Sequence, residues 1–185
     1  MTIKSRPVYA PFKLDVTGRV HLVVTNLAAP PVEVEEALGD VTVWTVKIIA
    51  PGVPAAAAQN LRPFRSVAEM LPQLAVRLAQ ATVGLRLYAI GSEAFIWDVH
   101  NIAIAAGMDG SEIFTHQAGP FVRRVYCTHC RTMIEDVAVT VTPCPCCGAH
   151  LFVRDHFSRR LAAFMGVIVD AEVPGEIPAA EALTS

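Results

Sequence analysis

Along the first 119 residues the spacing of hydrophobic positions changes several times, and each change predicts an element. Residues 20–25, Val-His-Leu-Val-Val-Thr, form a short β-branched run of the kind that suits a pleated, half-buried strand. Ala28-Ala29-Pro30-Pro31 then breaks it into a loop. Residues 41–49, with Trp44 among them, predict a second strand that ends at the turn signal Pro51-Gly52. From Ser66 the period lengthens. Val67, Met70, Leu71, Leu74, Leu78 and Ala81 recur at three and four, the stripe of an amphipathic helix. Ser66 followed three residues later by Glu69 is a capping box, in which hydroxyl and carboxylate satisfy free backbone donors reciprocally. Pro72 inside the stripe predicts a kink or a late start.

Residues 85–90 are almost uninterruptedly apolar, the pattern of a strand covered on both faces in a parallel sheet. Gly91-Ser92-Glu93 opens a second helix, with Phe95, Ile96, Val99, Ile102, Ala103 and Ala106 on one side and Gly107 as its stop. Residues 112–116 read as one more short strand. Strands alternating with helices over short connections imply parallel β-α-β units. The expected fold is therefore α/β, a small parallel-sheet unit over residues 1–119, with Gly119-Pro120 as the boundary to a second unit over residues 120–185. A chain of 185 residues has room for one good core and a small satellite.

Composition adds a partner to this picture. Hydrophobic residues make up 53% of the chain and charged residues 17%, richer and poorer respectively than ordinary soluble domains. No stretch approaches the length of a membrane span, and the first residues have no apolar signal core. The expectation is a cytoplasmic protein whose apolar surface is covered by other chains. A net charge of -2 supplies no basic field to attract phosphate backbones, so nucleic acid is not expected as a partner, and a zinc-ribbon nucleic-acid module is the remotest of three readings.

All five cysteines lie between Cys127 and Cys147, a cluster that favours metal over disulfides. Cys127-Thr128-His129-Cys130 and Cys144-Pro145-Cys146-Cys147-Gly148 are two knuckles separated by thirteen residues. Each knuckle turns two thiolates toward one ion, and a glycine after the second cysteine eases the turn. Cys127, Cys130, Cys144 and Cys147 are the expected ligands. Cys146 could replace Cys144 or Cys147, and His129 sits inside the first knuckle. Four protein ligands leave no position for water, so the ion is expected to be structural zinc. Iron is the alternative, because the second knuckle resembles half of a rubredoxin and thiolates suit both ions. The first knuckle has Arg131 where the matching glycine would stand.

Leu87-Tyr88-Ala89-Ile90-Gly91 and the following helix resemble the late strand-to-helix segment in the pyridine-nucleotide domain of ferredoxin-reductase-type proteins, where a helix N-terminus can meet a phosphate. Neither G-x-G-x-x-G nor a Walker sequence occurs. His21, His100 and His116 stand alone, no nucleophile pairs with a base, and no catalytic residue is assigned.

Beyond the second knuckle, residues 151–166 carry Arg154, Asp155, His156, Arg159 and Arg160 beside apolar positions. This composition suits either a partner interface, where arginine and aromatic anchors are enriched, or a capping helix with a solvated basic face. Tyr126-Cys127-Thr128-His129-Cys130-Arg131, the 144–148 knuckle and residues 151–165 together resemble the small, zinc-ribbon-ended subunit of bacterial dimethylamine monooxygenase. The resemblance implies a hetero-oligomeric NADPH- and O2-dependent enzyme that demethylates dimethylamine to methylamine and formaldehyde. Haem, FMN and a [2Fe-2S] cluster would then sit on partner subunits, since the plant-type cluster spacing is absent here. Two roles follow for this chain, an assembly subunit with structural zinc or an iron electron carrier. His156 is a conceivable axial haem ligand.

Overall fold

The computed structural model describes residues 6–27, 34, 41–46 and 60–184. Two compact units appear, one over Tyr9–Gly119 and the other from Pro120 to the C-terminal tail, which also takes in residues 6–8.

The first unit is built on a five-stranded parallel sheet in the order β3-β2-β1-β4-β5. Its strands are β1 Val20–Thr25, β2 Thr42–Thr45, β3 Leu61–Pro63, β4 Leu85–Gly91 and β5 Ile113–Gln117; α1 is Val67–Ala79 and α2 is Glu93–Ala105. The α/β parallel architecture expected from the sequence is present. Of residues 41–49 the strand takes only Thr42–Thr45, while residues 47–50 and the turns at Ala28-Ala29-Pro30-Pro31 and Pro51-Gly52 lie outside the described residues. β4, the most apolar strand of this sheet, lies between β1 and β5 and is buried at six of its seven positions, which is why it reads as an apolar run interrupted at Arg86.

Alternate residues of the strands serve opposite faces of the sheet. Val23, Val43, Tyr88 and Ile90 form one buried cluster, against which Phe12 and Leu14 of the N-terminal segment pack. The other set, including Leu22, Val24, Leu87 and Ala89, is equally buried and is left for the face on which α2 packs against β4 and β5.

α1 starts on time. The Ser66 hydroxyl accepts from the Glu69 amide at 3.2 Å, but the Glu69 carboxylate accepts from the Arg65 amide at 2.9 Å rather than from Ser66. Only half of the expected capping box is formed. Pro72 lies inside α1 without delaying it. The carbonyl it leaves without a donor belongs to Ala68, which is exposed, so water can take the missing hydrogen bond.

The second unit is a five-stranded sheet in the order β7-β6-β10-β9-β8, with β6 Arg123–Cys127, β7 Met133–Val137, β8 Val141–Pro143, β9 His150–Ser158 and β10 Ala163–Ile168. The capping helix considered for residues 151–166 is absent; β9 and β10 occupy that stretch as an antiparallel pair. β6–β7 and β8–β9 are antiparallel hairpins, and β10 pairs in parallel with β6. Gly166 of β10 sits opposite both Cys127 and Val153. A Cβ there would lie 2.7 Å from Val125 Cγ1, so only glycine lets the strands close.

Candidate metal centre

Each knuckle is the tip of one hairpin, and β9 and β10 bring the tips together. The two turns are built alike. In the first, the Arg131 amide donates to the Cys127 carbonyl at 2.9 Å and the Cys127 amide to the Thr132 carbonyl at 2.9 Å. In the second, the Gly148 amide donates to the Cys144 carbonyl at 2.9 Å and the Cys144 amide to the Ala149 carbonyl at 2.8 Å. Arg131 has φ 66° and Gly148 φ 72°. Arginine therefore adopts the left-handed conformation that glycine supplies in the other turn, and the sequence difference between the knuckles does not change their backbone.

The four sulfurs of Cys127, Cys130, Cys144 and Cys147 all lie within 4.8 Å of one another. Two separations are 3.9 Å, Cys127 to Cys147, and 3.5 Å, Cys130 to Cys144. A tetrahedral ion with metal–sulfur bonds of about 2.3 Å needs sulfurs about 3.8 Å apart. The residues fit such an ion. Cys127 and Cys144 are buried, Cys130 and Cys147 are half-buried, and Cys146 is exposed. His129 is also exposed. Buried Leu151 lies in the same cluster as Cys127 and Cys144, and the partly buried Ile134, Ala149 and Ile168 pack against it, an apolar setting that strengthens charge interactions beside it.

The thiols are unevenly tuned. Hydrogen bonds from the side chain and backbone of Thr132 pull Cys130 down to about 5. The Ala149 amide favours the Cys147 thiolate, yet burial and the surrounding sulfurs push that thiol up to about 12. Four adjacent thiolates repel one another, so full ionisation needs a cation, and binding one releases protons.

The second group singled out by sequence lies mainly on β9. Arg154 and His156 are exposed, with the Arg154 guanidinium 5.8 Å from the Phe152 ring. Arg159 and Arg160 occupy the turn before β10. Asp155 has a structural task that the sequence did not disclose. It accepts from Arg123 at 2.8 Å and pairs with Arg6 at 2.9 Å. Arg123 is 1% exposed and its guanidinium lies 4.1 Å from the Phe164 ring. Partial burial raises the Asp155 carboxyl, but the Arg123 and Arg6 guanidiniums outweigh it and hold the group below its ordinary range.

The turn that could meet a phosphate is engaged by the protein itself. Strand order reverses between β1 and β4, the place where open parallel sheets usually bind ligands. There the Asn26 carboxamide accepts from the Ser92 amide at 3.2 Å and donates to the Ser92 hydroxyl at 3.0 Å. A Cβ on Gly91 would lie 1.9 Å from Asn26 Oδ1. Beside it Glu93, 6% exposed, accepts from the Tyr9 hydroxyl at 2.7 Å, and Tyr9 accepts from Trp97 Nε1 at 2.9 Å. An anionic phosphate at this helix start would have to displace a carboxamide next to a buried carboxylate.

A parallel α/β unit followed by a ribbon of two cysteine knuckles defines a two-unit chain with a four-cysteine cluster that could hold a metal ion. Its family follows from both halves, since residues 47–113 match the N-terminal domain and residues 124–167 the C-terminal domain of the dimethylamine monooxygenase subunit DmmA-like family. The chain belongs to that family. It is 43% identical over 114 residues to the heme-dependent oxidative N-demethylase delta subunit of Ectopseudomonas mendocina (strain ymp). The aligned stretch covers 62% of this chain and 65% of that relative, just under two thirds of its length. No solved structure matches the chain. Among the described residues no helix is long and apolar enough to cross a membrane.

Proposed function

We propose that this chain is a subunit of a haem-dependent oxidative N-demethylase acting on dimethylamine, with NADPH and O2 as co-substrates and methylamine and formaldehyde as products. The family match of both halves supports membership of such a complex. The closed set of four sulfurs, with no open ligand position, is the observation that carries the chain's own role: a structural zinc that shapes an assembly subunit of a cytoplasmic hetero-oligomer. Redox groups, haem and flavin among them, belong to partner chains. On this reading the exposed side chains of Arg154, His156, Arg159 and Arg160 meet those partners, while Asp155 holds Arg123 in place.

One observation favours a second reading. Because Arg131 takes the conformation of Gly148, both knuckles have the rubredoxin-like turn, and iron at the same four sulfurs would make the chain an electron carrier.

The test is affinity purification of the tagged full chain from its native cells, followed by elemental analysis, visible spectra and an assay of dimethylamine-dependent formaldehyde release. Co-elution of haem and flavin with one zinc per chain is the expected outcome. One iron per chain with thiolate charge-transfer bands would replace the assembly role by electron transfer. A chain that elutes alone would end the subunit proposal. Arg154→Glu with Arg160→Glu should lower haem co-elution at unchanged zinc content.

A further inference from the structure

Outside the metal centre, the first unit has a cleft of about 400 Å³ between edge strand β3 and α1, lined by Trp44, Arg62, Pro72, Gln73, Arg77 and neighbouring α1 side chains. The size falls within the range of small-molecule sites. Pro72, Gln73, Val76, Arg77 and Gln80 share one side of α1, because residues three and four apart are neighbours on a helix.

The chemistry of the lining is one-sided. Among the described residues, two arginines and two carboxamides border it and no carboxylate does. Glu69, on the preceding turn of α1, is turned back to the Arg65 amide. Elsewhere Arg6, Arg86, Arg123 and Arg124 each pair with a carboxylate. Arg62 instead donates to the neutral Gln73 side-chain oxygen, and Arg77 has no hydrogen bond or ion pair among the described residues. Arg62 is also held in place, with its guanidinium 4.9 Å from the Trp44 ring and 5.0 Å from the Phe64 ring. A guanidinium has five donors and Gln73 uses only part of that set. Fixing the fork in advance removes much of the ordering cost of binding.

We propose that this cleft binds a small molecule bearing an oxyanion, a phosphate ester or a carboxylate, through Arg62 and Arg77, with its apolar body on Pro72 and Val76. Bidentate contact between guanidinium and oxyanion is the strong form of this interaction. The site is separate from the α2 start, where Asn26 and Glu93 oppose an anion, and it does not depend on the reading of the chain as a demethylase subunit.

Calorimetric titration of the metal-loaded full chain at low ionic strength with phenyl phosphate, benzoate and inorganic phosphate tests it. Phenyl phosphate should bind more tightly than inorganic phosphate, because the ring gains the apolar wall. Preference for phenyl phosphate over benzoate assigns the site to phosphate esters, and the reverse to carboxylates. Arg77→Gln should weaken binding about tenfold or more, the loss of one charge-assisted contact. Arg77 makes no hydrogen bond or ion pair among the described residues, so this variant tests the proposal even if Arg62→Gln fails to fold. Absence of binding by every probe, or equal affinity in wild type and Arg77→Gln, overturns it. So does binding of an acidic peptide alone, which would make the cleft a protein-docking surface.

Discussion

Arg131 carries a side chain where φ is 66°, and Gly148 stands in the matching turn at φ 72°. A side chain in the left-handed region costs about 1 to 2 kcal/mol, because Cβ crowds the following carbonyl. The two positions therefore make opposite predictions from one cause. Arg131→Gly should stabilise the metal-loaded ribbon by about 1 kcal/mol, and Gly148→Ala should destabilise it by about the same. Nothing lies within 4 Å of a Cβ added at Gly148, so the second effect is backbone strain and not a clash. Thermal unfolding of the two variants checks this, and a loss of stability in both would show that the turns are not equivalent. That Cys127, Cys130, Cys144 and Cys147 come together was legible in the two-knuckle spacing, although spacing left Cys146 as a possible substitute. The equivalence of Arg131 with glycine was not, since an arginine gives no sign of its φ. Asn26 was equally hidden, because a carboxamide acting on a helix start 66 residues away has no local pattern.

At the scale of elements, Asp15 joins the N-terminal segment to β4. Its carboxylate accepts from Arg86 Nε at 2.6 Å and from the Thr17 amide at 3.0 Å, while Arg86 also meets Glu112 at 3.2 Å. The Arg86 side chain first, and the Thr17 backbone and hydroxyl after it, lower the Asp15 carboxyl to about 2. The folded value thus lies below the unfolded value of about 3.9. This group's contribution to stability is complete above the unfolded value and is lost as pH falls through the folded one. Asp15→Asn should therefore remove part of the acid dependence of stability between about pH 4 and 2, read as parallel denaturant midpoints across that window. An unchanged acid profile would mean that the Arg86 contact is as strong in the unfolded chain.

Elements also show where a pattern could mislead. Leu151 and Val153 of β9 alternate inward as a strand should, but Arg154, Asp155 and His156 are then exposed in succession. The pairing explains the lapse. Phe164 pairs with Phe157 and Gly166 with Val153, so β9 carries extra residues opposite Met165, a bulge that breaks the period of two. Residues 151–166 consequently left open a basic helix that the fold does not contain. β4 and α2 raised no such difficulty, since a run apolar but for Arg86 and a stripe of three and four each survive into the structure.

For the whole molecule, the two units rest on different kinds of core. The sheet of the first unit is held by Val23, Val43, Tyr88 and Ile90, an aliphatic and aromatic cluster that needs no ion. In the ribbon, by contrast, one buried cluster is Cys127, Cys144 and Leu151, with Cys130 and Cys147 packed against it, beside buried Val125, Val153, Phe157 and Phe164. Two of the three residues of that cluster are among the proposed ligands, so ion binding should be coupled to folding of this unit. Without the ion, four thiols share one small space and the hairpin tips lose their common anchor. Chelation should therefore raise hydrogen exchange in the ribbon selectively. The amides of Val125, Cys127 and Leu151 should lose protection by at least tenfold, while those of Val23 and Leu87 keep theirs. Readdition of zinc should restore the first set. Equal loss in both sets would mean that the ion supports the first unit as well, and unchanged protection in the ribbon would mean that its strand pairing, β10 on β6 and β9, suffices without the metal.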